Sequence, residues 1–380
     1  MMLLNAIGVR LNLLMGKGVP MPAPAFVMES FESAEIATSD SEASGFSITF
    51  AAGRSTTLAG TIPIATANAT QAGSRIIVTG ILGVVPDVLI DGIIEDVDFD
   101  PGNEPGSAKL TIKGKDLSVL MDREEKQVSF PAMAPQDIVL RILSNYARHG
   151  IIPDVRPPAA GGRDNPVERC PIQHGTDLAY IQELAAQNDH IFTIIPGPLP
   201  LSSRAYWGPP PRIGGMQPAI STNMGPETNV SSLNFENSSS EAAQASGQII
   251  EPTTGRSLPI QSIFPFRPPL AAIPSIFGPN ARREILRTPA GQGPAETMAQ
   301  AQAQSDATTD TLKVTGDLDL GKYGRFLSPR KLVGLRGAGH QHDGIFYVQD
   351  VVHKISKGNW VQSFTLTREG LGTTTPIVRS

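Results

Sequence analysis

The most metal-like cluster in the chain is Gly339-His340-Gln341-His342-Asp343, two imidazoles two residues apart beside a carboxylate. On an alternating strand both rings would face one way and could begin a coordination site. Zinc needs three or four protein ligands, and no further His pair or His/Glu motif completes this set. Asp343-Gly344 is better used as a turn, so no metal is expected here. Asp96-Val97-Asp98-Phe99-Asp100 suggests a calcium loop until its later positions are read. The sixth is Pro101 where an EF-hand needs Gly, and the twelfth is Ser107 where it needs a bidentate Glu. Strand parity gives a plainer account, with Val97 and Phe99 pointing into a β-barrel and the acids lining its wet face. Such an acidic face could line a lumen, where like charge limits the sticking of cargo.

Other constellations stop short of chemistry. Cys170 and His174 could be a thiol and its base, but nothing orients the imidazole, and a loop cysteine is the better reading. Asp177 and Glu183 could be a hydrolytic carboxylate pair, yet the first fits the opening turn of a helix and the second its solvent face. Gly8 to Lys17 has the wrong glycine spacing for a phosphate loop, and Gly18 stands where Ser or Thr is required. Trp207 and Trp360 read as packing or interface anchors rather than sugar platforms. No catalytic, cofactor-binding or metal-binding residue is therefore assigned, and no cofactor is expected.

The elements around these residues are mostly strands. The chain has 380 residues, 37 Gly and 33 Pro, with 18% charged and 6% aromatic residues, a turn-rich composition that favours β architecture in two to three domains. A net charge of −5 with both signs dispersed gives no basic face for nucleic acid. The lone Cys170 excludes an intrachain disulfide and suits a reducing cytoplasm during assembly. No apolar run reaches eighteen residues, so no spanning helix is expected, and Met1 to Met15 lacks the layout of a signal peptide.

Strands are predicted over 26–36, 46–50, 76–82, 88–99 and 108–112, a spacing that favours a barrel or sandwich. Asp116-Leu117-Ser118 opens a short helical turn to Arg123. A helix follows over 135–148, stopped by Gly150, and a second over 177–188 is capped by Thr176. A strand over 190–195 ends this middle part. The β pattern resumes over 230–235, but Glu251 to Pro294 shows no periodicity and reads as an extended arm lying on a partner or a neighbouring subunit. A helix over 294–307 and strands over 311–318, 331–335, 345–354 and 360–368 complete the chain.

Two of these strand pairs look alike. Asp91-Gly92-Ile93-Ile94-Glu95-Asp96-Val97 followed by Leu110-Thr111-Ile112-Lys113-Gly114 matches Asp343-Gly344-Ile345-Phe346 and Asp350-Val351 followed by Leu366-Thr367-Arg368-Glu369-Gly370. In both, Asp-Gly is read as the turn before a hairpin. Three such chains would present six quasi-equivalent units.

The run Leu110 to Ser118, with Met121-Asp122-Arg123-Glu124, Tyr146-Ala147-Arg148-His149-Gly150, Asp177 to Ala185 and Phe192, resembles the baseplate hub proteins of contractile phage tails and related injection machines. That group includes the phage T4 hub and the hub half of VgrG. Asp343 to Val348, Val352-His353-Lys354-Ile355 and Trp360 to Arg368 resemble the closing hairpin of that family. The resemblance implies a mainly β chain with α+β insertions: two related antiparallel β-barrels joined by a mixed α/β domain. The corresponding division is a first barrel at 1–115, a middle domain at 116–228, a second barrel at 229–250 and 308–380, and a Pro-rich arm plus helix at 251–307. It further implies a non-enzymatic virion component of the tail baseplate, a homotrimer of pseudo-sixfold symmetry. Its partners would be the hexameric tail tube, a separate central spike, and tape-measure and baseplate wedge proteins. The alternatives are a tail-borne cell-wall hydrolase and the hub of a bacterial extracellular injection system. Each barrel is expected to close its own edges.

Overall fold

The computed structural model describes residues 2–3, 9–40, 42–53, 68–104, 106–158, 170–240, 242–250, 256–261, 267–285 and 294–374. Alternating burial makes its first regular strand. In β1 (Val9–Gly16), Val9, Leu11, Leu13 and Met15 are buried while the residues between them are half-exposed. Alternation recurs in β2 (Phe31–Thr38), β3 (Gly45–Ala51) and β6 (Lys109–Asp116), whereas β4 (Arg75–Leu82) and β5 (Val85–Asp100) are buried on both faces over 76–80 and 88–94. A second set follows: β7 (Met216–Ser221), β8 (Val230–Asn237), β9 (Leu312–Asp319), β10 (Leu332–Arg336), β11 (Gly344–Ser356) and β12 (Asn359–Arg368). All twelve belong to one sheet of 14 strands.

The first set lies in the spatial order β1-β4-β5-β6-β3-β2, and the second in the order β7-β10-β11-β12-β9-β8. These are the same path, strand for strand. Two irregularities repeat too, while shifts between Val78 and Thr79 of β4 and between Gln217 and Ile220 of β7 have no counterpart. β5 has a bulge between Ile94 and Asp96 and β11 one between Val348 and Asp350. β2 has one between Phe31 and Ser33 and β8 one between Val230 and Ser232. A bulge adds one residue to one strand and re-aims everything beyond it, so coincident bulges fix the correspondence residue by residue. Glu95-Asp96-Val97 is thereby equivalent to Gln349-Asp350-Val351. One difference is that β7 joins β10 in parallel whereas β1 joins β4 antiparallel.

This register corrects the sequence alignment. Asp91-Gly92 is equivalent to Ile345-Phe346, two residues beyond Asp343-Gly344, and Leu110 to Gln362 rather than Leu366. Nor is Asp91-Gly92 a turn, because it lies inside β5. A Cβ on Gly92 would sit 2.2 Å from the Lys115 carbonyl oxygen, so that glycine answers a close strand approach instead. Asp343 does lie in a turn, with its N–H donating to the Gly339 carbonyl at 2.8 Å.

The two units also pair with each other. The outer edge of β2 bonds antiparallel to β11, from Thr38 opposite Val351 to Ser33 opposite Ser356, which makes the sheet continuous. Trp360 of β12 crosses this joint and packs with Ile355 and Leu320 into the core built on Leu11, Ile36, Ile48 and Ile76. The core of the second unit centres on Val314, Val333, Phe346, Val351 and Leu366.

A third core lies between the units in sequence. Here α2 (Pro135–Ser144) and α3 (Asp177–Gln187) pack Ile138, Ile142, Leu143, Ile181 and Leu184 around Trp207. They cover a sheet of Ile151–Val155, Ser203–Gly208 and Ile191–Pro196. Thr176 caps α3 as expected, its hydroxyl accepting from the Ala179 N–H at 3.2 Å.

Two further expectations change. The segment read as strand from Phe26 begins as helix α1 (Ala25–Ser30), where the Val27 and Met28 N–H groups donate to the Pro24 carbonyl at 3.0 and 3.2 Å. The Pro-rich region is not a bare arm. Ser257–Gln261 and Arg282–Ile285 flank Ala243–Ile250 in a sheet, α4 (Pro294–Ala307) packs against it, and Ala271–Pro274 pairs with Gly370–Thr373. Its residues Ile263, Phe264 and Phe266 lie outside the described residues.

Candidate assembly surface

Both units present one sheet face to their cores and the other as a polar surface. In the first unit the rows across that surface read Glu35, Ser47, Lys113, Asp96 and then Ser33, Thr49, Thr111, Asp98. In the second they read Asn234, Thr315, Thr365, Asp350 and then Ser232, Asp317, Ser363, Val352. The second pair of rows lines a concavity of about 330 Å³. Short hydroxyl and ionic contacts tie the rows together. Thr49 and Thr111 hydroxyls meet at 3.2 Å, and Lys113 donates to Asp98 at 2.7 Å, which raises the lysine above its ordinary range. Asp317 accepts from Ser363 at 2.6 Å and Ser232 at 2.9 Å, and these hydroxyls, Ser363 first, hold its carboxyl below the usual range against a smaller effect of burial.

The parity of the acidic strand is as expected, but its burial is not. Val97 and Phe99 stand opposite Ile112 and Leu110, both buried, yet Val97 is 37% and Phe99 44% exposed. Their half of β5 extends beyond the end of β4, which reaches only as far as Ile93 in the ladder. Asp96, Asp98 and Asp100 point to the opposite, polar face and are exposed.

The remaining sequence candidates scatter. His340 is exposed, while His342 is half-buried with its ring 4.5 Å from that of Phe235. No group of three potential metal ligands occurs among the described residues. His174 is exposed on Ile172–Thr176, and the thiol of Cys170 contacts the Pro171 carbonyl at 3.8 Å. Glu183 accepts from Gln187 at 3.1 Å on the outside of α3. Asp177 instead turns inward, accepting from Lys126 at 2.6 Å, Tyr146 at 2.7 Å and Gln173 at 2.8 Å. Burial works to raise that carboxyl, but these donors outweigh it and keep it low, while burial and Asp177 push the Tyr146 phenol up. This is a clamp between α2 and α3, not a hydrolytic pair. The strand β1 occupies the described part of the rejected phosphate loop, and Gly8 lies outside the described residues.

Trp207 is fully buried, its indole N–H donating to the Ile181 carbonyl at 3.4 Å. Trp360 donates to Nδ1 of His353 at 3.3 Å, and burial drives the His353 ring down to about 3, so that it is neutral and accepts this bond. Beside this joint, Asp40 is almost fully buried near Tyr347. Burial pushes its carboxyl up to about 6, partly offset by the Tyr347 phenol.

Two ionic networks escape sequence analysis because their members come from separate parts of the chain. Arg75 binds Asp91 through two hydrogen bonds and donates a third to the His149 carbonyl at 2.9 Å. Arg212 is buried between Asp310 and Glu369. Glu369 also accepts the N–H groups of Leu270 and Ala271, which fastens the Pro-rich insertion to the end of the second unit. Arg267 extends this network, 3.8 Å from Asp310, to Asp189 just after α3.

No family model and no curated protein matches the sequence. Solved structures match the fold over nearly the whole chain. The tail protein of Neisseria meningitidis MC58 has a TM-score of 0.62 at 13% identity, covering 96% of this chain and 98% of that one. The 43 kDa tail protein of prophage MuSo2 from Shewanella oneidensis gives 0.63 at 11% identity, over 95% and 98%. An E. coli component of the type VI secretion system, itself similar to phage T4 tail proteins, gives 0.54 at 10% identity, over 92% and 77%. The fold is therefore that of these tail proteins, mainly β with two related, largely antiparallel units and α/β insertions.

Proposed function

We propose that this chain is the structural hub of a contractile tail baseplate. Three copies form a ring of six similar β units that meets a hexameric tail tube on one face, and the insertions offer threefold surfaces to a separate spike on the other. The observation that carries this reading is the repetition of one six-strand path, with two coincident bulges, within a single chain. Identical units can occupy sixfold positions, while insertions carried by alternate units reduce the symmetry to threefold. The polar rows, with their acids, line the central channel. The domain division that fits is a first unit to residue 115, a middle domain over 116–228 and a second unit over 229–250 and 308–380, with 251–307 inserted. Strand β7 (Met216–Ser221) reaches from the middle segment into the second unit's sheet. The role is mechanical rather than catalytic, and tail tube, spike, tape-measure and wedge proteins are its partners in the virion.

Light scattering on the purified chain, alone or coexpressed with its spike, is expected to give a trimer whose contacts each bury more than roughly 2,000 Å². Electron micrographs should show a ring with six lobes on one face and three on the other. A stable monomer at micromolar concentration overturns the reading.

A further inference from the structure

Inside one chain the two units are joined in one way: the outer edge of β2 bonds to residues 351–356 of β11. The coincident bulges transfer that joint to the strands where no such partner is present. β8 is the counterpart of β2, with Phe235 equivalent to Ile36 and Asn237 to Thr38. The end of β5 is the counterpart of residues 351–356, with Val97 equivalent to Val351 and Phe99 to His353. Among the described residues β8 bonds only to β9, and residues 96–100 bond only to β6. Each unit thus has one edge used within the chain and a matching edge left open.

Burial marks the open edges as unfinished. Val351 and Ile36 are fully buried at the internal joint and His353 is 3% exposed, whereas Val97 and Phe99 are 37% and 44% exposed and Phe235 is only half-buried. Edge strands that stay single usually carry Lys, Pro or an inward charge, and β8, Val-Ser-Ser-Leu-Asn-Phe-Glu-Asn, carries no Lys or Pro.

We infer that β8 of one copy adds antiparallel to residues 97–100 of β5 in a second copy, placing Phe235 opposite Phe99 and Asn237 opposite Val97. This rests on the hub reading and specifies its subunit joint. Because the two edges differ, the contact is heterologous, and repetition closes it into a ring rather than pairing two copies face to face. The joint buries two aromatic rings across adjacent strands and completes the hydrogen-bonding of both edges. It also sets Asp98 opposite Glu236. Lys113, 2.7 Å from Asp98, and Lys313, opposite Glu236 on β9, supply the balancing charge.

Disulfide trapping tests the register, since a bridge forms only when Cα atoms lie within about 4.4–6.8 Å. In a Cys170→Ser background, Phe99→Cys with Phe235→Cys, and separately Val97→Cys with Asn237→Cys, are oxidised and run on non-reducing gels. The expected result is a ladder ending at a covalent trimer for both pairs and none for the offset pair Phe99→Cys with Leu233→Cys. A trimer by light scattering that bridges only at the offset pair, or at none, overturns this joint while leaving the hub reading intact. A chain that is monomeric throughout overturns both. Hydrogen exchange on the unaltered chain gives a reading free of cysteine effects: those amides of 97–100 that point away from β6 exchanging at the solvent rate in the trimer overturn the joint.

Discussion

Arg75 and Asp91 form a bidentate pair, with Nε donating to Oδ1 at 2.7 Å and a terminal guanidinium nitrogen donating to Oδ2 at 2.6 Å. Their side chains are 13% and 2% exposed. The same carboxylate accepts from Ser203 at 3.0 Å, so one charge on β5 holds both its neighbouring strand and the strand Ser203–Gly208. Asp91→Ala leaves a guanidinium buried without its partner. The expected loss is about 3–5 kcal/mol in denaturant unfolding, whereas a loss below about 1 kcal/mol would show that water repairs the site.

Glu369 is the corresponding fastener for the insertion. Glu369→Ala removes one of the two carboxylates on the buried Arg212, leaving only Asp310, and frees two backbone N–H groups, at Leu270 and Ala271. Stability is expected to drop by roughly 3–5 kcal/mol. Limited proteolysis should then cut between residues 257 and 285 well before it cuts the β units, and unchanged cleavage there would contradict this fastening role.

Asp40 gives the joint between the units a pH dependence. Its folded-state value of about 6 lies above the ordinary 3.8, so between about pH 4 and pH 6 the folded chain keeps a proton that the unfolded chain has released. Stability from this group therefore falls as pH rises through that window and stays lower above it. Asp40→Asn should flatten this part of the curve and add on the order of 1–3 kcal/mol at pH 7. Thermal unfolding profiles that coincide for the two proteins from pH 4 to 7 would rule it out.

Trp360 joins the units through packing. Trp360→Ala opens a cavity where Phe326 and Ile355 meet the first core and removes the N–H bond to His353. The cost should be about 3–5 kcal/mol. Trp360→Phe should recover most of it, and equal losses in both variants would point to the hydrogen bond rather than the ring.

Much of this fold was legible because local rules and tertiary structure agree. Pro135, Thr176 and the helical spacing of Ile138, Ile142, Ile181 and Leu184 mark α2 and α3 directly, and burial alternates along β1 and along β12 as far as Leu366. Helix α1 was hidden because six residues, Ala25 to Ser30, span too few turns for a helical period to separate from an apolar strand. The duplication was detectable but misregistered. Asp-Gly is a strong turn signal, and it drew the alignment to the wrong residues, while the bulges at Glu95 and Gln349 carry no residue type that announces them. Networks such as Arg212 with Glu369 join positions 157 residues apart, and single-sequence reading has no period or motif with which to find them. Val97 and Phe99 obey strand parity, but parity cannot say where the neighbouring strand ends.

Between β2 and β3 the chain needs only residues 39–44, whereas between the equivalent β8 and β9 it runs through 238–311. A homohexamer of single units would have to wear every ornament six times or not at all. Two units carried in one chain let one bear a tether, helix or docking patch while the other stays plain. The long excursion is therefore something a two-unit chain can encode and a one-unit chain cannot: an alternation between otherwise interchangeable places.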